Sequence, residues 1–445
     1  MTAIAPQVTL PPGPARDEIL RALQSEGARE IPEFLLDVTR RYGAFSSLDL
    51  AHKRYYLIND PDAIRDVLVT HARSFRKGRG TDAVHELLGN GIFSAEPPAH
   101  TTSRRMLQPA FHREHIENYA TVMLAHAERT SLHLRSLQTV DIGREMRAHA
   151  LRVGCDTLFS QAFEDGDDLI GTALTTVMES AAVGIFGRLH DRPTIERRQR
   201  FRSACARLHA IADGIISHRR ALSGETPRDL LGLLFGARDE DGKPMADAHL
   251  RDEVLTMLLA AQESTALALT WTCWLLATHP RAQERLHQEL DATQRQPWNA
   301  QTIRQLPYAA AVFKEGLRLF PPAWLLARRA REAVTIAGLQ LPRGAAVYIS
   351  PYVMQRSERC YENPQEFRPE RWLDAPAMPP FTYFPFGSGA RGCIGEAFAW
   401  MEGIITLATV ARSTVLRARD ATPLDLAPLL TLRPARPVLL EAHSR

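Results

Sequence analysis

Apolar positions recur at helical spacing from the start of the chain. Ile19, Leu20 and Leu23, then Phe34, Leu35 and Val38, predict one or two amphipathic helices over 15–42. From Phe45 to Ile58 the pattern changes to alternating and β-rich runs. Tyr55-Tyr56-Leu57-Ile58 stops at Asn59-Asp60-Pro61, so a strand pair and a turn are expected. From about 100 to 320 the pattern is helical almost throughout, with breaks at 164–168, 191–193, 224–227, 239–244 and 296–300. The run over 250–279 is apolar on nearly every side, which predicts a buried helix ~45 Å long. After Pro321-Pro322 come short β-type runs, Val334-Thr335-Ile336 and Ala346-Val347-Tyr348-Ile349, separated by Gly338 and Pro342-Arg343-Gly344. An irregular, Pro-rich stretch over 363–385 follows, long enough to mark it as functional. The expected fold class is mainly α with small, late β-sheets. A Pro-rich tail at 1–14 precedes one large helix-rich domain at 15–445.

Composition narrows the class. Charged residues at 24% and hydrophobic ones at 45% are ordinary for a soluble enzyme. A net charge of +3, with no basic run interleaved with aromatics, sets nucleic acid aside. Among 54 basic residues only Lys53, Lys77, Lys243 and Lys314 are lysines; this arginine bias points to a GC-rich, bacterial genome. The cysteines, Cys155, Cys205, Cys273, Cys360 and Cys393, contain no CxxC pair, which argues against zinc and iron–sulfur centres. Their odd number fits reduced thiols in a cytosol. The first residues carry neither a basic n-region nor an apolar stretch long enough to export or anchor the chain, so a cytoplasmic protein is expected.

The most specific chemistry lies in Phe386-Gly387-Ser388-Gly389-Ala390-Arg391-Gly392-Cys393-Ile394-Gly395, followed by a helix-period run to Leu407. A sulfur before a helix start meets unpaired N–H groups and the positive end of the dipole, which favours its thiolate. Arg391 adds a cation two residues away, and the glycines allow a flat ligand close to the backbone. A lone thiolate in such a cradle suits one axial bond to a haem iron. The stretch resembles the haem-binding loop of the cytochrome P450 family, Phe-Gly-x-Gly-x-Arg-x-Cys-x-Gly, with every fixed position filled. The resemblance implies the P450 fold, haem b on Cys393, O2 as co-substrate and monooxygenase activity.

Gln262-Glu263-Ser264-Thr265 interrupts the buried apolar helix, where polar groups need a reason. One reason is a satisfied knot in which Ser264 and Thr265 bond carbonyls a turn earlier. The other comes from the segment's similarity to the family's distal-helix motif, Ala/Gly-Gly-x-Asp/Glu-Thr-Thr/Ser. That similarity implies Ala260 over the haem, Glu263 as an acid and Ser264 as the hydroxyl of a proton relay, with Thr265 as a substitute. Ala261 stands where the family has glycine and Ser264 where it has threonine, which puts the coupling of the reaction in doubt.

Glu315 and Arg318 form an i,i+3 pair that alone reads as an ordinary surface ion pair. They resemble the family's Glu-x-x-Arg motif, and Phe367-Arg368-Pro369-Glu370-Arg371-Trp372 resembles its partner. Arg371 then completes a structural triad. For the haem propionates the resemblance implies Arg391, Arg328 (with Arg329 as rival), His100 and Arg104. Phe386, Gly387, Ala260 and Ala261 are expected against the cofactor.

No flavin or NADPH motif is present, so electrons are expected from NAD(P)H through a separate ferredoxin or flavodoxin with its reductase. Arg104, Arg105, His112 and Arg113 are expected to form part of its docking patch. By resemblance the substrate pocket is lined by the loop 76–93, a mobile lid over 176–205, Ala260, Ala261, Thr265, Ala323, Trp324 and Leu325. This apolar lining suits a terpenoid, fatty acyl chain, steroid or polyketide. The chain is expected to be a monomer without a membrane anchor. Two other readings remain open: a haem-thiolate enzyme that uses peroxide or rearranges an oxidised substrate, and a non-catalytic haem sensor.

Overall fold

The computed structural model describes residues 10–25, 29–50, 53–78, 82–160, 167–186, 194–221, 229–293, 298–373, 378–420 and 422–445. Helices dominate, as the apolar periodicity predicts. The central one, Asp247–Thr278, has 32 residues and ends against His279-Pro280. It packs on Ile142–Phe159, Pro307–Leu319 and Glu396–Ser413. Burial on all sides forces its hydroxyls inward onto the helix backbone: Thr256, Thr270 and Thr272 each donate to the carbonyl four residues back. The expected breaks at 164–168, 191–193, 224–227 and 296–300 lie wholly or partly outside the described residues. The 239–244 break is a tight turn closed by an Arg238–Pro244 bridge. The stretch 363–385 is irregular where described, apart from a 3-10 turn at Pro369–Trp372.

The sheets are small, as expected, but the main one is not confined to the late part of the chain. The main sheet has five strands in the spatial order Phe45–Leu50, Lys53–Ile58, Ala346–Ile349, Leu326–Ala330, Phe75–Lys77. The early strand pair therefore joins the late strands, Lys53–Ile58 running parallel to Ala346–Ile349 and the other neighbours antiparallel. Leu326–Ala330 contains two arginines and no β-branched residue, so pairing partners, not intrinsic preference, make it a strand. A short C-terminal hairpin pairs Leu426–Pro428 with Leu432–Pro434. At the N-terminus the Pro11 and Pro12 carbonyls accept from Ser47, which pins this stretch to the first strand. No helix among the described residues is long and apolar enough to cross a membrane.

One buried polar group in the core carries a pH signature. His149 is fully buried between Thr130 (2.9 Å) and Thr406 (2.8 Å). Burial, then the charges of Arg152 and His126, push its imidazole down to about 3. An unfolded histidine titrates near ~6.5, so between that pH and about 3 the unfolded chain binds a proton that the fold refuses. Stability at this residue is complete above ~6.5 and falls with acid by at most ~1.4 kcal/mol per pH unit. We expect the urea midpoint of His149→Gln to drop less steeply from pH 6.5 to 4 than the parent's. Equal slopes would remove His149 from the account.

Candidate active site

The Gly-rich loop folds back on itself before its helix begins. Cys393 N donates to Phe386 O at 2.9 Å, Gly392 N to Gly389 O at 2.9 Å and Gly387 N to Phe384 O at 3.0 Å. Gly389 has a φ of 69°, and a Cβ there would lie 2.1 Å from Leu68 O, so only glycine fits. Cys393 keeps exposed surface yet is surrounded by protein, and burial pushes its thiol up to about 11. A backbone hydrogen bond from Gly395 opposes this, Glu396 reinforces it and Arg104 opposes it. In the empty loop burial thus outweighs the Gly395 hydrogen bond and the charge of Arg104. Arg391 points elsewhere, to Ala95 O at 2.8 Å and Glu96 at 3.0 Å. Arg104 braces the loop instead, donating to Gly392 O at 2.8 Å. A metal bound at the sulfur would favour its ionised form.

Beside the loop lies a surplus of buried positive charge. Lys77 and Arg328 are direct cross-strand partners, an unfavourable pairing of like charges. Burial, then Arg391 and Arg328, push the Lys77 ammonium down to about 7. Burial and Arg391 lower Arg328 to about 10. His100 is pushed down to about 4 by burial, then by Arg391, Lys77 and Arg104. Glu96 is the carboxylate that opposes them, and it already binds Arg331 at 2.7 Å as well as Arg391. Arg391 Nη2 is buried without a well-aligned acceptor. Among the described residues Glu96 is the carboxylate that opposes Lys77, Arg328 and Arg391, and the two propionates of a haem would add the negative charge they call for; the residues fit the cofactor. Arg329 turns away to Gly344 O, so Arg328 is the member of that pair in the cluster. Lys77 was not legible in the sequence, because only strand register brings it here.

On the central helix, Ala260 and Ser264 are exposed while nearly all their neighbours are buried. Ser264 Oγ donates to Ala260 O at 3.0 Å. Ala261 faces Gly154, where an added Cβ would come within 2.9 Å of its own. The methyl that departs from the family's glycine is thus accommodated by a glycine on the adjacent helix. Glu263 is held by Arg433 (2.7 and 2.8 Å) and Thr431 (2.7 Å), a partnership invisible in the sequence. Thr265 is buried beside Glu402, so its expected place in the substrate pocket is corrected. Glu402 is fully buried, its oxygens make no well-aligned hydrogen bond, and burial raises its carboxyl well above the ordinary range despite Thr265. The signal was present but unread: an acid inside the apolar run Met401 to Leu407.

Glu315, Arg318 and Arg371 meet as expected. Arg318 is bidentate on Glu315 at 2.8 Å, Arg371 Nε donates at 2.9 Å, and Trp372 Nε1 and Arg368 N complete the shell. Burial alone would raise the Glu315 carboxyl, but Arg318, Arg371 and the Arg368 N–H hold it below the ordinary value.

Two pocket assignments are corrected. Trp324 is 1% exposed in the cluster formed by the N-terminal helices, and its indole donates to Leu429 O. Leu325 packs against the same cluster, while Ala323 is half-buried. The apolar Trp-Leu-Leu run marks core there, not cavity. Parts of the expected pocket loop and lid, 79–81 and 187–193, lie outside the described residues. The basic docking patch is also weaker than its sequence: Arg104 turns inward, Arg105 pairs with Glu240 at 2.6 Å and Arg113 with Glu117 at 2.9 Å.

A helical fold carrying one cysteine in a glycine cradle beside unneutralised cations defines a haem-thiolate oxygenase. A profile of the family described as Cytochrome P450 matches residues 11–436, and the chain belongs to that family. It is 36% identical over 415 residues to "Cyclooctatin synthase" of Streptomyces melanosporofaciens, covering 91% of this chain and 90% of that one. It is 33% identical over 389 residues to "Pentalenene oxygenase" of Streptomyces avermitilis, covering 84% of each. "Cyclooctat-9-en-7-ol 5-monooxygenase" of Streptomyces melanosporofaciens is 33% identical over 398 residues, covering 86% of this chain and 84% of that one. The chain is a P450 monooxygenase that uses haem, O2 and electrons from a redox partner on a hydrophobic substrate.

Proposed function

We propose that this enzyme hydroxylates or epoxidises a terpenoid, either a cyclised hydrocarbon or its first alcohol. Electrons come from NAD(P)H through a ferredoxin or flavodoxin and its reductase, in the cytoplasm. The observation that supports the chemistry is the exposed Cys393 in its glycine loop, close to the cluster of Lys77, Arg328 and Arg391. The substrate class rests on the similarity to oxygenases named for pentalenene and for cyclooctat-9-en-7-ol.

When bound, the haem supplies O2 activation and oxygen insertion. Cys393 Sγ would hold its iron, with Phe386 and Gly387 beside the sulfur. Arg391, Arg104, Arg328, His100 and Lys77 would hold its carboxylates. Ala260, exposed on the central helix, would lie beside it, with Ala261 turned toward Gly154. O2 activation consumes protons, and two groups hold them close to the exposed strip. Ser264 Oγ keeps one against Ala260 O, and burial favours the protonated form of the Glu402 carboxyl beside Thr265.

The test is turnover of a panel of sesquiterpene and diterpene hydrocarbons with NADPH, a surrogate ferredoxin and its reductase. We expect products carrying one atom from isotopically labelled O2. Turnover driven only by peroxide would overturn the partner-dependent mechanism, and none with either would overturn the enzymatic reading.

A further inference from the structure

The stretch 89–96, just before the helix Ala99–Leu107, is tied at both ends. Its later end meets the cation cluster. Ala95 O accepts from Arg391 Nη1 at 2.8 Å, Glu96 pairs with Arg391 at 3.0 Å, and Glu96 Oε1 accepts from Lys77 N at 3.0 Å. Its earlier end lies on the first half of the central helix, where two adjacent acids take backbone N–H groups. Asn90 N donates to Asp252 Oδ2 at 2.8 Å and Ile92 N to Glu253 Oε2 at 2.9 Å. The approach is close: a Cβ at Gly91 would lie 2.1 Å from Thr256 Oγ1 and 2.7 Å from Asp252 O, and Gly89 turns with a φ of 45°. Ser94 Oγ donates to Gly89 O at 2.6 Å and folds the stretch back on itself.

Glu253 has a second partner. Its other oxygen lies 3.2 Å from His249 Nε2, and that ring nitrogen is 2.9 Å from Ser103 Oγ. Ser103 belongs to the helix that carries His100 and Arg104. Glu253 has no exposed side-chain surface and Ser103 is buried. The hydrogen bond to Glu253 outweighs burial and holds the His249 imidazole above its ordinary value, with the charges of Glu253 and Asp252 adding to the effect. One acid thus reaches the strap before the cation cluster with one oxygen, and the helix after it with the other. Removing that acid strands the buried Ile92 N–H and cuts both links, a loss that no neighbouring group replaces without movement.

We propose that Asp252, Glu253 and His249 form a clamp that presses the strap 89–96 and the helix Ala99–Leu107 onto the cation cluster, with Glu253 as the positioning residue, and that this clamp retains the haem. The proposal rests on the haem-thiolate reading and adds to it what keeps the carboxylate-holding side chains in place. None of the three clamp residues touches that cluster; they act through Ala95 O, Glu96, His100 and Arg104.

The test follows haem transfer from the ferric holoenzyme to excess apomyoglobin, together with hydrogen exchange of the peptide spanning 89–96. We expect about tenfold faster transfer in Glu253→Ala, with faster exchange in that peptide and none in Ala346–Ile349. Glu253→Gln keeps an acceptor for Ile92 N and should recover part of the loss. Thr130→Val, which breaks a buried hydrogen bond to His149 away from the strap, is the control for general loosening and should transfer haem at the parent's rate. Equal acceleration in Thr130→Val, or a Glu253→Ala rate equal to the parent's, would overturn the clamp while leaving the cofactor assignment intact. A parent that takes up no haem, or whose reduced form under carbon monoxide lacks the red-displaced band, overturns the haem-thiolate reading and the clamp with it.

Discussion

Cys393→Ala will eliminate the red-displaced Soret absorption that the reduced parent shows under carbon monoxide, and turnover will vanish with it. The sulfur is the chain's axial ligand in the proposed site, and a methyl group cannot replace it. The fold should survive the change. The loop is held by Phe386 O, Gly389 O and the Arg104 guanidinium on Gly392 O, none of which involves the cysteine side chain. The cations beside the loop, Arg391, Arg328 and Lys77, remain to hold propionates, so the variant can still take up haem. The expected spectrum is therefore that of a bound haem with a shifted, non-thiolate ferrous–CO band, while far-ultraviolet circular dichroism matches the parent. A Cys393→Ala spectrum with the parent's band would disprove the assignment.

The parts of this site that could be read from the sequence share a property: they are local. The cysteine loop occupies ten consecutive residues, the distal cluster four, and the Glu315–Arg318 pair one helical turn. Each announces itself by spacing or by the cost of a polar group in an apolar run. What remained hidden depends on contacts distant in sequence. Lys77 reaches the cation cluster because Phe75–Lys77 pairs with Leu326–Ala330. Arg433 reaches Glu263 because the C-terminal hairpin lies along the central helix. Gly154 makes room for Ala261 across a helix–helix contact. Trp324 shows the opposite error: an apolar run near the site was assigned to cavity, and the N-terminal helices claimed it for core. Glu402 could have been found by the argument that singled out Glu263, since both are acids inside apolar helices.

Glu315→Ala is expected to be the most destabilising single substitution outside the cysteine loop. Glu315 and Arg318 have no exposed side-chain surface, and Arg371 has 7%. Removing the carboxylate strands two guanidinium groups in the interior, along with the Trp372 indole and the Arg368 N–H. Arg318 keeps the carbonyls of Gln355, Pro364 and Glu366, so its hydrogen bonds are partly retained but its charge has no counter-ion. Breaking a buried pair from one side costs roughly 3–5 kcal/mol, a large part of the ~5–15 kcal/mol that holds a domain together. Glu117→Gln is the control: that carboxylate pairs with Arg113 and Arg304 at the surface, where solvent screens the pair and its loss should barely move the midpoint. Denaturant midpoints should separate the two, and equal midpoints would show that the triad is not a keystone. The pH dependence gives a second check. The Glu315 carboxyl is held below its ordinary value, so its contribution is present above the unfolded carboxylate's pKa, near ~4.3, and is lost as pH falls through the lower folded value. The gap between parent and Glu315→Gln should therefore narrow in acid, whereas a purely steric defect would persist at every pH.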